Sequence, residues 1–339
     1  MKVIFMGTPD FSVGTLEALI EAGHEISLVV TQPDKPKGRG KAVQFPPVKE
    51  AALAHDLLVY QPKRIREPEC IEYLRQYEAD IIVVVAFGQI LPKEILDMPK
   101  HGCVNVHASL LPKYRGAAPI QWAVINGDKI SGVTTMRMEE GLDTGDMILK
   151  EEVVLAEDET GGSLFDRLAK TGAQLCVKTL TKIQEGTAEY IPQNSEEATY
   201  VTTIKKQLGE IDWNRPAVEL ERLIRGLNPW PSAYTHINGK TLKIWKAAVT
   251  ENSGKETDSI DRTDSIDRAD SISEADAKTK DQQVMPGTIV EAAKNTLKVQ
   301  TGEGVLQLLE VQLAGKKRMP AGDFLRGNAV PVGSVFGIS

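Results

Sequence analysis

Seven consecutive apolar residues, Ile81-Ile82-Val83-Val84-Val85-Ala86-Phe87, constrain the fold more than any other stretch of this 339-residue chain. A run this short, rich in β-branched side chains and without polar alternation, predicts a strand covered on both faces. Its surroundings supply the cover. Residues 12–22 place Val13, Leu16, Leu19 and Ile20 at helical spacing, and residues 48–55 and 71–77 also read as helices. Further short apolar strands are expected at 3–6, 26–31 and 103–107, and a strand pair at 133–138 and 148–155. Residues 161–185 form a long helix that closes the first part. Strands alternating with helices predict an α/β domain with a mostly parallel sheet. Ligands of such sheets sit beyond the carboxyl ends of the strands, here just after residues 87 and 107.

The length fits about two domains. We expect a first domain over 1–188, a linker over 189–206 and a second domain over 207–339. The linker is polar and contains Pro192 and Asn194. The second domain carries one helix (217–225), the break Asn228-Pro229-Trp230-Pro231, and short strands at 241–248, 287–291, 296–300 and 305–311. That pattern predicts a small β-barrel. Residues 251–283 stand apart. Thr257-Asp258-Ser259-Ile260-Asp261-Arg262 recurs as 263–268, with one Ile per six residues. High charge with so few apolar groups predicts a disordered insert without a role.

The net charge of −7 hides an asymmetry. The first 204 residues carry −8 and the insert −5, while the rest of the chain from residue 205 on carries +6. Such asymmetry points to a polyanionic partner. The three cysteines, Cys70, Cys103 and Cys176, have no paired spacing, which fits a reducing cytoplasm and excludes a disulfide framework. No apolar run approaches the ~20 residues that span a membrane, and the N-terminus lacks a secretory pattern. No cluster has metal-ligand spacing, so no metal is expected.

Chemistry concentrates in Asn105-Val106-His107-Ala108-Ser109-Leu110-Leu111-Pro112, followed by Leu142-Asp143-Thr144-Gly145-Asp146. Residues i and i+2 of a strand share a face, so Asn105 and His107 look out together at a strand end. A polar pair on a buried strand is costly unless it is satisfied or used. Asn105 offers an amide donor of the kind that stabilises a developing oxyanion. His107 offers a donor or a proton-transfer group. Asp143 is open to three roles: orienting His107, favouring its charged form, or handling the proton through water. Ser109 lacks the Gly-x-Ser-x-Gly setting of a nucleophile.

These two motifs resemble the signature of folate-dependent formyltransferases. With Phe5-Met6-Gly7-Thr8-Pro9-Asp10-Phe11 and the loop 34–41, the whole chain outside the insert resembles the methionyl-tRNA formyltransferases. The resemblance implies a Rossmann-like formyltransferase domain followed by an OB-like barrel. It implies formyl transfer from 10-formyltetrahydrofolate to methionine on initiator Met-tRNA, by a cytoplasmic enzyme expected to be monomeric. Asn105, His107 and Asp143 would be catalytic. Ser109, Leu110, Leu111 and Pro112, with Gln89, Ile90 and Leu91, would line the folate pocket. Phe11 would help to wall in the methionine side chain. Lys35, Lys37, Arg39 and Lys41 would engage the acceptor end of the tRNA, with Lys316, Lys317 and Arg318 as a second basic patch.

A sugar-nucleotide N-formyltransferase would share Asn105, His107, Asp143 and the Asn-Pro-Trp-Pro segment. It gives no reason for the basic residues at 35–41 or 316–318. A non-enzymatic tRNA-binding protein gives no reason for an intact Asn, His and Asp. A nicotinamide dehydrogenase lacks its phosphate loop, because Gly7-Thr8-Pro9-Asp10-Phe11 is not Gly-x-Gly-x-x-Gly.

Overall fold

The structure is a computed structural model that describes residues 1–37, 42–250 and 284–337. It divides into two compact units, one of residues 1–205 with 225–229, the other of 206–224 with 230–339.

The first unit runs β1 (Lys2–Gly7), α1 (Asp10–Glu21), β2 (Glu25–Val30), β3 (Lys35–Lys37), β4 (Ala42–Gln44), α2 (Pro47–Ala54), β5 (Val59–Tyr60), α3 (Pro68–Arg75) and β6 (Ile81–Val85). It continues with α4 (Lys93–Leu96), β7 (Cys103–His107), β8 (Arg115–Gly116), α5 (Pro119–Asn126), β9 (Ile130–Arg137), β10 (Met147–Val154), α6 (Gly161–Glu185) and β11 (Tyr200–Val201). Seven strands form one sheet in the order β10-β9-β7-β6-β1-β2-β5. From β5 to β7 it is parallel; β9 and β10 add antiparallel. The chain leaves β1 toward β2 and returns to its other side with β6. That reversal creates the crevice in which ligands of open α/β sheets bind.

All five residues of β6 are buried, as a doubly covered strand requires. Period-2 alternation divides the core between the two faces. Val3, Phe5, Val83, Val104 and Val106 pack with α1 and α6 on one face, and Ile4, Met6, Val84 and Cys103 with α3 and α4 on the other. Gly172 lets α6 close onto the sheet, since a Cβ there would lie 3.0 Å from Val106 Cγ1. A Thr160–Ser163 capping box starts α6, and Gly186, at φ 69°, ends it.

Burial pushes the thiols of Cys103 and Cys176 up to about 12. At about pH 8, iodoacetamide is expected to spare both in the native protein and to alkylate both once guanidinium unfolds it. Intact-mass measurement before and after denaturation checks this.

The second unit contains β12 (Ala233–Ile237), β13 (Lys240–Thr250), β14 (Ile289–Ala293), β15 (Thr296–Gln300), β16 (Val305–Leu313), β17 (Met319–Pro320) and α8 (Ala321–Gly327); α7 (Ala217–Gly226) begins in it. Its strands form one antiparallel sheet, β12-β13-β16-β15-β14, with β17 on β16. Leu242, Ile244, Leu297, Val299, Leu306 and Leu308 are buried by the same alternation.

Parts of the sequence reading change: the second unit holds α8 (Ala321–Gly327) as well as the one helix expected there. The stretch around the expected loop 34–41 is not all loop: Lys35–Lys37 and Ala42–Gln44 pair as a short antiparallel hairpin. Strand β12 and helix α5 had no sequence signal strong enough to read. The former is a five-residue strand with both Thr235 and His236 inside it, and the latter a two-turn helix opened by proline. The expected insert 251–283 lies outside the described residues.

Candidate active site

Asn105 and His107 share one face of β7, the strand flanked by β6 and β9 in the middle of the long sheet. The loop behind them folds inward. Thr134 Oγ1 on β9 donates to the Ser109 carbonyl at 2.7 Å and accepts from the Leu111 N–H at 3.1 Å. Ser109 Oγ donates to the Lys113 carbonyl at 2.7 Å. Lys150 Nζ on β10 donates to the Leu111 carbonyl at 2.5 Å. Thus clamped, residues 109–113 turn back over β9 and deliver 114–116 beside His107.

His107 is buried, 6% exposed. Its Nε2 lies 3.0 Å from the Tyr114 carbonyl, and its Nδ1 3.7 Å from Asp143 Oδ2. A carbonyl only accepts, so Nε2 carries a proton. Nδ1 is then the nitrogen that looks toward the carboxylate. Asp143 Oδ2 also accepts the Gly116 N–H at 2.7 Å. Both partners of the imidazole therefore depend on the 114–116 turn. The side chain of Asn105 makes no hydrogen bond among the described residues. A half-buried carboxamide left uncommitted is a donor held ready for something else.

Asn105, His107 and Asp143 all line one cleft of about 720 Å³. Its walls come from the loops after β1, β6 and β7, at the carboxyl end of the parallel strands, and from the loop that follows the antiparallel β9. Phe11, Phe87, Leu91, Ile120, Met138 and Phe165 make it largely apolar. Three non-glycine residues on its lining, Ala86, Ala118 and Asp143, have φ of 47°, 61° and 53°. Left-handed backbone costs such residues roughly 1–2 kcal/mol each, and strain of this kind gathers where geometry serves a site.

The expected folate-lining residues separate into two groups. Gln89, Ile90 and Leu91 line the cleft. Gln89 is fixed by its Oε1, which accepts the Ile65 N–H at 2.7 Å, while Ile90 is 85% exposed on the rim. Ser109, Leu110, Leu111 and Pro112 are not brought to the cleft lining. Ser109 and Leu111 are internal, Leu111 packing on Met136 and Met147, and Leu110 lines a separate groove with Tyr114 and Asp128. Phe11 is in the cleft wall, its ring edge-on to Phe165 at 5.4 Å. Among the described residues, no group of His, Cys, Asp and Glu side chains is arranged to hold a metal ion.

Residues 1–180 match the family described as Formyl transferase, and residues 203–329 its C-terminal domain. A methionyl-tRNA formyltransferase from Agathobacter rectalis is 65% identical over 336 residues, 99% of both chains. That of Clostridioides difficile is 48% identical over 99% of this chain and all of its own. The chain belongs to the methionyl-tRNA formyltransferase family. Among solved structures, an N-formyltransferase from Helicobacter canadensis, in complex with folinic acid and dTDP-3-aminofucose, shares the fold. It has a TM-score of 0.60 and 17% identity, over 91% of this chain and 98% of its own.

In this formyltransferase the Asp143 loop closes on itself only because residue 145 is glycine. A Cβ at Gly145 would collide with the Arg137 carbonyl. Gly145→Ala is therefore expected to push Asp143 away from His107 and cut kcat by about 10²-fold, with a modest loss of Tm. Steady-state kinetics beside a melting curve check this.

The basic residues are spread over several places. Lys35 is exposed on the short hairpin, where Lys37 also belongs by backbone, while Arg39 and Lys41 lie outside the described residues. In the second unit Lys316 and Lys317 are exposed. Arg318 is already engaged: it pairs with Glu310 and lies 5.0 Å above the Trp245 ring.

Sequence reasoning missed Tyr114, Arg115, Gly116 and Gln193. Tyr114 contributes its carbonyl and Gly116 its N–H, which no side-chain pattern betrays. Arg115 is 2% exposed, and a buried arginine reads in sequence like any surface cation.

Proposed function

We propose that this enzyme transfers the formyl group of 10-formyltetrahydrofolate to the α-amino group of methionine on initiator Met-tRNA. The observation that carries the reading is the free Asn105 carboxamide beside a His107 held between a carbonyl and a carboxylate, in one apolar cleft. A 65% identical methionyl-tRNA formyltransferase supports the choice of acceptor.

The chemistry follows from what those groups can do. The amine lone pair forms a bond to the formyl carbon, and negative charge grows on the formyl oxygen. Asn105 donates an N–H to that oxygen. The nitrogen becomes positive and must lose a proton. His107 accepts it at Nδ1, and the resulting imidazolium is held by Asp143 and the Tyr114 carbonyl. The bond from the formyl carbon to the folate nitrogen then breaks, and His107 returns the proton to that nitrogen. The products are a formamide on methionine and the deformylated folate. The cleft suits the donor, because Phe87, Leu91 and Met138 offer flat apolar contact to a pterin ring while backbone groups between them offer hydrogen bonds. Phe11 and Phe165 form an apolar wall suited to the methionine side chain. We assign Ser109–112 an indirect part in folate binding, through the turn they build.

We read 1–188 as the catalytic domain, 189–206 as a linker, and 207–339 as an OB-like, tRNA-binding domain around its antiparallel sheet. The enzyme acts in the cytoplasm as a monomer. Lys35, Lys37, Arg39, Lys41, Lys316, Lys317 and Arg318 contact tRNA phosphates by counter-ion release. Changing the first four together to glutamine is expected to weaken tRNA binding and to flatten its salt dependence. Each lost phosphate contact removes roughly 0.9 from the slope of log K against log salt. An unchanged slope removes that loop from the interface.

The deciding assay supplies 10-formyltetrahydrofolate with methionine-charged initiator tRNA, free methionine, or an amino-sugar nucleotide. Fast transfer to the charged tRNA alone is expected. Transfer to the amino sugar would keep the chemistry and discard the tRNA. No transfer by the folded protein would end the reading of the site.

A further inference from the structure

Residues 193–201 make more contacts with the site than a connecting segment needs. Gln193 Nε2 donates to two carbonyls of the Asp143 loop, Asp143 O and Gly145 O, both at 2.8 Å. Its Oε1 accepts from Arg115 Nε at 3.0 Å and from an Arg115 terminal nitrogen at 2.8 Å. The other terminal nitrogen of Arg115 donates to the Tyr200 hydroxyl at 3.0 Å. Thr199 holds the facing turn. Its Oγ1 accepts the Tyr114 N–H at 2.8 Å, and its carbonyl accepts the Arg115 N–H, also at 2.8 Å. Strand β11 then pairs Tyr200 and Val201 with Arg115 and Gly116.

The two turns held in this way are those that carry the partners of His107. One presents the Tyr114 carbonyl to Nε2 and the Gly116 N–H to Asp143; the other presents Asp143 itself. Arg115 is among the largest fully buried side chains, and among the described residues its side-chain hydrogen bonds go only to the neutral groups of Gln193 and Tyr200. Burying a guanidinium without a carboxylate is costly. What it gains is a Gln193 amide polarised by two charge-assisted bonds, and so a stronger donor to the Asp143 loop.

We infer that residues 193–201 are a positioning splint for His107 and Asp143, with Gln193 and Thr199 as its two fastenings and Arg115 as the bolt between them. The inference rests on the catalytic reading of that pair. None of these three residues lines the cleft, so they are positioning residues and act through His107 and Asp143.

The test uses the full-length enzyme with formyl donor and charged tRNA. Gln193→Met keeps the side-chain length and removes its amide. Thr199→Val keeps shape and removes the acceptor for the Tyr114 N–H, while Thr199→Ser restores that acceptor. Each of the first two is expected to lower kcat by about 10- to 10²-fold, because ångström-scale misplacement costs that much. KM for both substrates should stay within about twofold, and Thr199→Ser should recover most of kcat.

Wild-type kcat in variants that melt normally would overturn the inference. So would a loss of activity that merely tracks the unfolded fraction, with no rescue by serine. His107→Ala run in parallel separates the two levels. If it too retains activity, the catalytic reading fails; if it is inactive while the splint variants are normal, only the splint fails.

Discussion

His107→Ala is expected to lower kcat by about 10²–10⁴-fold, the usual contribution of a positioned proton-transfer group. KM should change little, because the largely buried imidazole is a small part of the cleft lining and its removal leaves most of the binding surface intact. Stability should fall only modestly, since the side chain makes one hydrogen bond, to the Tyr114 carbonyl. Asp143→Asn gives a sharper comparison. It keeps the shape of the loop and can still meet the Gly116 N–H through its carbonyl oxygen, but it no longer stabilises a charged imidazole. A large loss of kcat in Asp143→Asn with a normal melting curve assigns the carboxylate charge to the reaction. Near-normal turnover in a folded His107→Ala enzyme would remove His107 from the chemistry.

Asn105→Ala is expected to cost about 10²–10³-fold in kcat, the typical price of one oxyanion donor. The residue is half-buried and its side chain makes no hydrogen bond among the described residues, so truncating it should leave Tm unchanged or slightly raised. Asn105→Asp separates charge and donor from shape. It is nearly isosteric, yet it places a carboxylate where negative charge must develop, and should be as slow as alanine or slower. A fall in activity that appears in KM rather than kcat would instead make Asn105 a ground-state binding group. Single-turnover formylation, with product separated from charged tRNA, distinguishes these outcomes.

The site was partly visible before the fold was known. Asn105 and His107 fall two residues apart on a strand short enough to read from its own apolar pattern, and strand alternation alone puts them on one face. The loop containing Asp143 was legible because strand signals flank it on both sides. The Ser109–112 turn shows the limit. Its sequence invites a place in the pocket, yet Thr134 and Lys150 draw it inward, and its contribution passes through the turn that follows. Arg115 shows another. Nothing local distinguishes a buried guanidinium from a solvated one.

The division has a physical basis. Helix and strand periodicity are properties of neighbouring residues, so the α/β alternation, the doubly covered β6 and the strand face bearing Asn105 and His107 could all be inferred from the chain. The environment of His107 could not, because it is made by groups distant in sequence. Tyr114 N–H reaches Thr199 across 85 residues, Arg115 reaches Gln193 across 78, and Gly116 N–H reaches Asp143 across 27. Two of those three contacts use the backbone on at least one side. Backbone groups are the same in every residue, so folding alone chose which carbonyl faces the imidazole and which N–H meets the carboxylate.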